Sequence, residues 1–180
     1  MKIKKIVSFL VMMTLVFALH SQTFNWVYDE EKEYKTPIGE GTYEQLKNSE
    51  FWAEMEEYYQ KYELKNNFIE KINALFADKL KDKNLSVDVV FGGWCGDSKE
   101  QMPAFMKIKS QIDVLSDLNI RWIGCDRRKN SGNIDIREMY IEYFPTFIFY
   151  LDGEEMCRII ETPRTGSIEE DLFDMLDRQK

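Results

Sequence analysis

Residues 94–98 read Trp-Cys-Gly-Asp-Ser, between an apolar run at 87–91 with its two following glycines and a helical stretch beginning near Ser98. A short apolar run closed by glycines and followed at once by a helical pattern predicts a buried strand turning directly into a helix. That junction places Cys95 at the mouth of the helix. Unpaired backbone N–H groups and the positive end of the helix dipole favour thiolate over thiol there. Asp97 adds an opposing negative charge, and Lys99 a supporting positive one. Three residues on, where a second sulfur would resolve a mixed disulfide, the chain carries Ser98, which can neither attack one nor form an internal bridge.

The rest of the chain bounds what this sulfur can do. Residues 1–5 are basic, residues 6–19 are almost unbroken apolar sequence, and His20-Ser21-Gln22 suits a processing boundary, so residues 1–21 are expected to be a secretory signal peptide. The apolar stretch is shorter than the roughly 20 residues a spanning helix needs, so stable membrane insertion is not expected after cleavage. Losing Lys2, Lys4 and Lys5 and no acid takes the formal charge from −8 to −11. An acidic chain whose only basic cluster is Arg127-Arg128-Lys129 disfavours nucleic-acid binding. The one histidine leaves with the leader, which removes Ser-His and Cys-His mechanisms and the common histidine-containing zinc sites. Cys95, Cys125 and Cys157 lack metal-ligand spacing, and no cofactor is expected.

Patterning predicts an irregular segment over 22–41, a helix from a Thr42–Gln45 capping box to about Tyr62, and a second from about Lys65 to Lys83. A strand–helix–strand unit follows at 87–91, 98–118 and 120–124, with Pro103 kinking its helix. Then come a short helix over 134–142, a hairpin of 146–151 and 155–161 turning at Asp152-Gly153, and a last helix capped by Ser167. The division expected is 1–21 leader, 22–83 irregular and helical extension, and 84–180 an α/β domain with a central mixed sheet.

With these elements in order, the sequence resembles the thioredoxin superfamily. The resemblance rests on Trp94-Cys95-Gly96 at a strand-to-helix junction, Pro103 eight residues after the cysteine, Phe144-Pro145-Thr146 opening the next strand, and Asp152-Gly153 in the hairpin. More narrowly, it is similar to exported bacterial thioredoxin-like proteins with a W-C-x-D-S motif and a Glu-x-Pro stretch, here Glu161-Thr162-Pro163. The resemblance implies a thioredoxin-like fold, a cis Pro145 beside Cys95, and a groove for an extended substrate lined by Trp94, Gly96, Asp97, Phe144 and Pro145. By that resemblance, Cys95 and Ser98 stand at the catalytic positions. The buried acid usual six residues before the cysteine is here Val89, and the neighbouring Asp88 points to the other sheet face.

Two functions follow. One is monothiol exchange with protein or low-molecular-weight thiols and disulfides in a periplasmic or extracellular setting, as an isomerase or a reductase of mixed disulfides. The other is a redox-inactive module that binds an extended peptide or protein. Cys125 reads as a buried structural thiol, Cys157 as strand packing, and the aromatic stripe Trp52, Tyr58, Tyr59 and Tyr62 as helix packing. Oligomeric state stays open.

Overall fold

The computed structural model describes residues 22–112, 115 and 118–178; the expected leader lies outside them. Strand β3 (Leu85–Gly92) is the axis of the molecule. It pairs in parallel with β4 (Asn119–Cys125) and antiparallel with β5 (Thr146–Leu151), which turns back into β6 (Glu154–Ile160). Covered on both faces, β3 reads as the near-continuous apolar run that such a position demands. The β5–β6 turn has Asp152 at φ 53° and Gly153 at φ 85°, the paired left-handed conformation that a two-residue hairpin requires.

Residues 22–41 are not irregular. They form a hairpin, β1 (Asn25–Asp29) and β2 (Tyr34–Gly41), and β2 adds antiparallel to β4, giving a six-stranded sheet in the order β1-β2-β4-β3-β5-β6. Alternating charge and Pro37 hid this strand pair, because β1 lies at the sheet margin with mostly exposed side chains and so lacks a buried period.

The helix expected over 42–62 is three short ones: α1 (Tyr43–Lys47), α2 (Glu50–Ala53) and α3 (Glu56–Lys61). The Thr42–Gln45 capping box is present, and Ser49 starts a new helix by accepting from Trp52 N–H at 3.2 Å. Next come α4 (Asn66–Lys79), α5 (Gly96–Lys109) and α6 (Ile168–Asp177). Helix α5 contains Pro103 and ends at Lys109, well short of residue 118, and the Ser110 hydroxyl donates to the Lys107 carbonyl at 2.7 Å. No helix forms over 134–142. Asp135 binds Arg137 through both backbone and guanidinium, only i to i+3 bonds follow, and Tyr140 adopts φ 54°, which a helix cannot continue.

The two sheet faces are covered unequally. Val87, Val89, Phe91, Trp122, Phe147 and Phe149 pack with α4, α5 and α6 in the larger core. The opposite face buries Val90, Ile123, Cys125 and Ile148 under Ile136, Ile141 and Phe144 from the irregular segment. Among the described residues no helix is long and apolar enough to cross a membrane.

Close backbone approach holds β2 onto the sheet. A Cβ at Gly124 of β4 would collide with the Pro37 carbonyl, a backbone atom that cannot move aside alone. Gly124→Ala is therefore expected to lower stability by about 1–3 kcal/mol through overpacking. Urea denaturation would register this as a lower midpoint, and an unchanged midpoint would mean that the hairpin does not pack there.

Candidate active site

The β3-to-α5 turn is built by backbone bonds around two glycines. Gly92 N–H donates to Ser98 Oγ at 3.3 Å, Cys95 N–H to the Gly92 carbonyl at 3.0 Å, and Lys99 N–H to the Cys95 carbonyl at 3.3 Å. Cys95 is the N-cap of α5. Added Cβ atoms would lie 2.8 Å from Trp94 Cε2 at Gly92 and 2.7 Å from Thr36 Cβ at Gly93, so both positions need a residue without a side chain.

Four of the expected site residues come together here. The Cys95 thiol, half-buried, donates to the Phe144 carbonyl at 3.2 Å, and the Phe144–Pro145 peptide bond is cis. Phe144 is buried with its ring edge-on to Trp94 at 5.8 Å. Trp94 Nε1 donates to the Cys125 carbonyl at 3.2 Å, and the Arg127 guanidinium lies 5.2 Å from the indole, held by Asp29 and Glu31 of the hairpin turn at 3.4 and 2.7 Å. Gly96 is exposed with open space above it, and Asp97 is half-buried in the first turn.

Ser98 sits differently from a groove residue. Its side chain is fully buried, and its hydroxyl serves the frame by accepting from Gly92. Lys99 does not stand as a free cation beside the sulfur: its ammonium pairs with Glu54 and lies 4.9 Å from the Tyr34 ring centre. Val89 is wholly within the larger core. Asp88 is on the other face, accepting from Arg121 at 3.0 Å and Tyr150 at 3.3 Å. Burial raises the Asp88 pKa despite the opposing Arg121. Among the described residues no cluster of His, Cys, Asp or Glu could hold a metal ion.

Sequence reasoning missed Tyr34, whose hydroxyl donates to the Gly93 carbonyl at 3.1 Å, together with Thr36, Glu54 and Arg127. No local pattern could have found them, since each reaches the turn from a distant part of the chain.

Of the other two thiols, Cys125 is fully buried and Cys157 is half-buried. Burial pushes Cys125 up to about 12, with Asp126 adding to it, and Cys157 likewise to about 12, with Glu155 adding to it. They pack on opposite faces of the sheet, Cys157 against the larger core and Cys125 in the smaller.

The chain matches the sequence model of the family described as Thioredoxin over residues 64–175. Among curated proteins it is similar to Thioredoxin domain-containing protein 6 of Homo sapiens and of Mus musculus, 28% and 27% identical over 107 residues. Those matches take in 59% of this chain and 30% of each relative, so the chain spans under a third of their length. Similar solved structures include a thioredoxin of Fasciola hepatica, with 23% identity, a TM-score of 0.36 and coverage of 61% of this chain and 91% of that one. A protein of unknown function from Pseudomonas aeruginosa has 14% identity, a TM-score of 0.46 and coverage of 71% and 77%.

Two outcomes follow from the thiol environments. At pH 8 the folded protein should alkylate at Cys95 at least about tenfold faster than at Cys125 or Cys157, because only thiolate reacts and burial suppresses it at the latter two. Peptide mapping after timed iodoacetamide labelling checks this; equal rates would contradict the burial. Raised folded pKa values also mean that the stability these two thiols confer is fully present below pH 9.0 and is lost as pH rises toward about 12. Denaturation midpoints should fall across that window, and less steeply in Cys157→Ser.

Proposed function

Because the chain belongs to the thioredoxin family, we propose that it is an exported monothiol exchange protein that acts through Cys95 on mixed disulfides of proteins or low-molecular-weight thiols. The observation that carries this reading is a half-exposed thiol at the N-cap of α5, beside the Phe144 carbonyl, with a buried hydroxyl three residues on where a resolving sulfur would stand.

The chemistry is two displacements. The Cys95 thiolate attacks one sulfur of a substrate disulfide, so a Cys95–substrate S–S bond forms, the original S–S bond breaks, and the departing thiolate takes a proton from solvent. A second thiol, from a small molecule or from the substrate itself, then attacks the adduct, forming a new disulfide and returning Cys95 as thiolate. No net oxidation of the protein occurs, which suits isomerisation and reduction of mixed disulfides rather than dithiol oxidation. The helix N-terminus favours the anionic sulfur in both steps. Ser98 contributes by bracing the turn, and Trp94, Gly96, Asp97, Phe144 and Pro145 border the approach to the sulfur.

The deciding experiment uses a peptide carrying a glutathione mixed disulfide, with reduced glutathione as the incoming thiol. The native protein should accelerate release, Cys95→Ser should fall to the uncatalysed rate, and Cys157→Ser should match the native protein. Equal rates for native and Cys95→Ser would leave a module that binds without exchanging. The export part is tested separately: protein recovered outside the cytoplasm should begin near Gln22.

Ser98→Cys gives a second measurement. Under oxidising conditions it is expected to form a disulfide between Cys95 and the introduced thiol, visible by mass spectrometry, and to gain reduction of insulin-type disulfides. A bridge without turnover would locate the remaining deficit at Val89, where no acid is present to move the proton. Failure to bridge would mean that residues 95 and 98 do not face one another.

A further inference from the structure

Both shoulders of the Cys95 turn are held by residues remote in sequence. On the N-terminal side, Tyr34 opens β2, is 7% exposed, and donates its hydroxyl to the Gly93 carbonyl at 3.1 Å across 59 positions. On the C-terminal side, Lys99 lies one helical turn beyond Cys95 and is 9% exposed. Its ammonium pairs with Glu54, 45 positions away, just after α2, and rests over the same Tyr34 ring. Thr36 and Pro37 press against Gly93 from the hairpin. Burial alone would lower the Lys99 pKa, but the Glu54 and Tyr34 oxygens outweigh it and raise the pKa above its ordinary value. A buried ammonium is tolerated only when paired in this way. None of these groups reacts in the exchange chemistry, yet together they close a loop of contacts around the residues on either side of the sulfur.

We propose that Tyr34, Glu54 and Lys99 are positioning residues for Cys95, which makes the hairpin and the helical segment before β3 a working part of the thiol site. The proposal rests on the exchange reading above. Sulfur displacement needs the attacking sulfur aligned with the bond it breaks, so a turn that wanders loses rate without losing substrate affinity. The Tyr34 hydroxyl fixes the carbonyl two residues before Cys95. The Lys99–Glu54 pair fixes the first helical turn, which opens at Cys95.

The test compares native protein with Tyr34→Phe, which keeps the ring and removes one hydrogen bond, and Glu54→Gln, which keeps the shape and removes the charge. Two readouts are taken on folded protein: kcat and KM for the glutathionylated peptide, and the pH midpoint of Cys95 alkylation by iodoacetamide. In each variant kcat is expected to fall about three- to tenfold, the range corresponding to one hydrogen bond, with KM unchanged and the alkylation midpoint displaced from its native value. Should Tyr34→Phe fail to fold, Glu54→Gln decides, since its side chain is 45% exposed and the glutamine amide oxygen can still accept from the Lys99 ammonium. Native kcat and a native midpoint in a folded variant overturn the proposal. Absence of exchange by the native protein itself overturns the exchange reading instead, and the alkylation midpoint then still judges the positioning role by itself.

Discussion

The hydrogen bond from Gly92 N–H to the buried Ser98 hydroxyl is the contact on which the site's geometry turns. It fastens the last residue of β3 to the first turn of α5, so the helix cannot tilt without breaking a bond that no water can replace. The constraint propagates outward. Gly92 lies opposite Cys125 in the parallel register, the Cys125 carbonyl takes the Trp94 indole, and Trp94 meets Phe144, whose carbonyl faces the Cys95 sulfur. One side chain at the base of a turn thus sets a chain of contacts running from β3 through the end of β4 to the residues that lead into β5.

The segment before β3 shares the larger core through Leu46, Phe51, Met55 and Ile72, and polar bonds add to that joint. Lys107 of α5 donates to the carbonyls of Tyr59, Gln60 and Tyr62 at 2.9, 3.2 and 2.9 Å, satisfying the end of α3 with a cation where the helix dipole is negative. Glu169 of α6, fully buried, accepts from the Tyr62 hydroxyl at 2.6 Å and from Lys65 N–H at 3.1 Å. Arg121 of β4 bridges Glu40 of the hairpin to the buried Asp88. These three anchors fall on α5, α6 and the sheet, so the segment is fixed against both the helices of the larger core and the strands.

Local chemistry made much of this legible. The apolar run of β3, the Asp152-Gly153 turn and the caps at Thr42 and Ser167 each depend on neighbours within a few residues, and each reads directly from the chain. What stayed hidden is long-range. The β1–β2 pair is held by Gly124 allowing Pro37 to approach, a fact about two strands and not about either sequence. Lys99 reads as a cation near the sulfur until Glu54 and Tyr34 are folded against it. The 134–142 stretch has helix-compatible residues, but Asp135 competes for its backbone and Tyr140 turns it away.

Ser98 also carries a kinetic implication. Its hydroxyl is enclosed at the third position of the helix and faces inward to Gly92, so the protein presents no nucleophile there to a partner joined to Cys95. An adduct on that sulfur has no clock of its own at this position. Under the proposed exchange, the residence time of a partner without a second thiol of its own would vary inversely with the concentration of free thiol around the protein, short where such thiols abound and long where they are scarce.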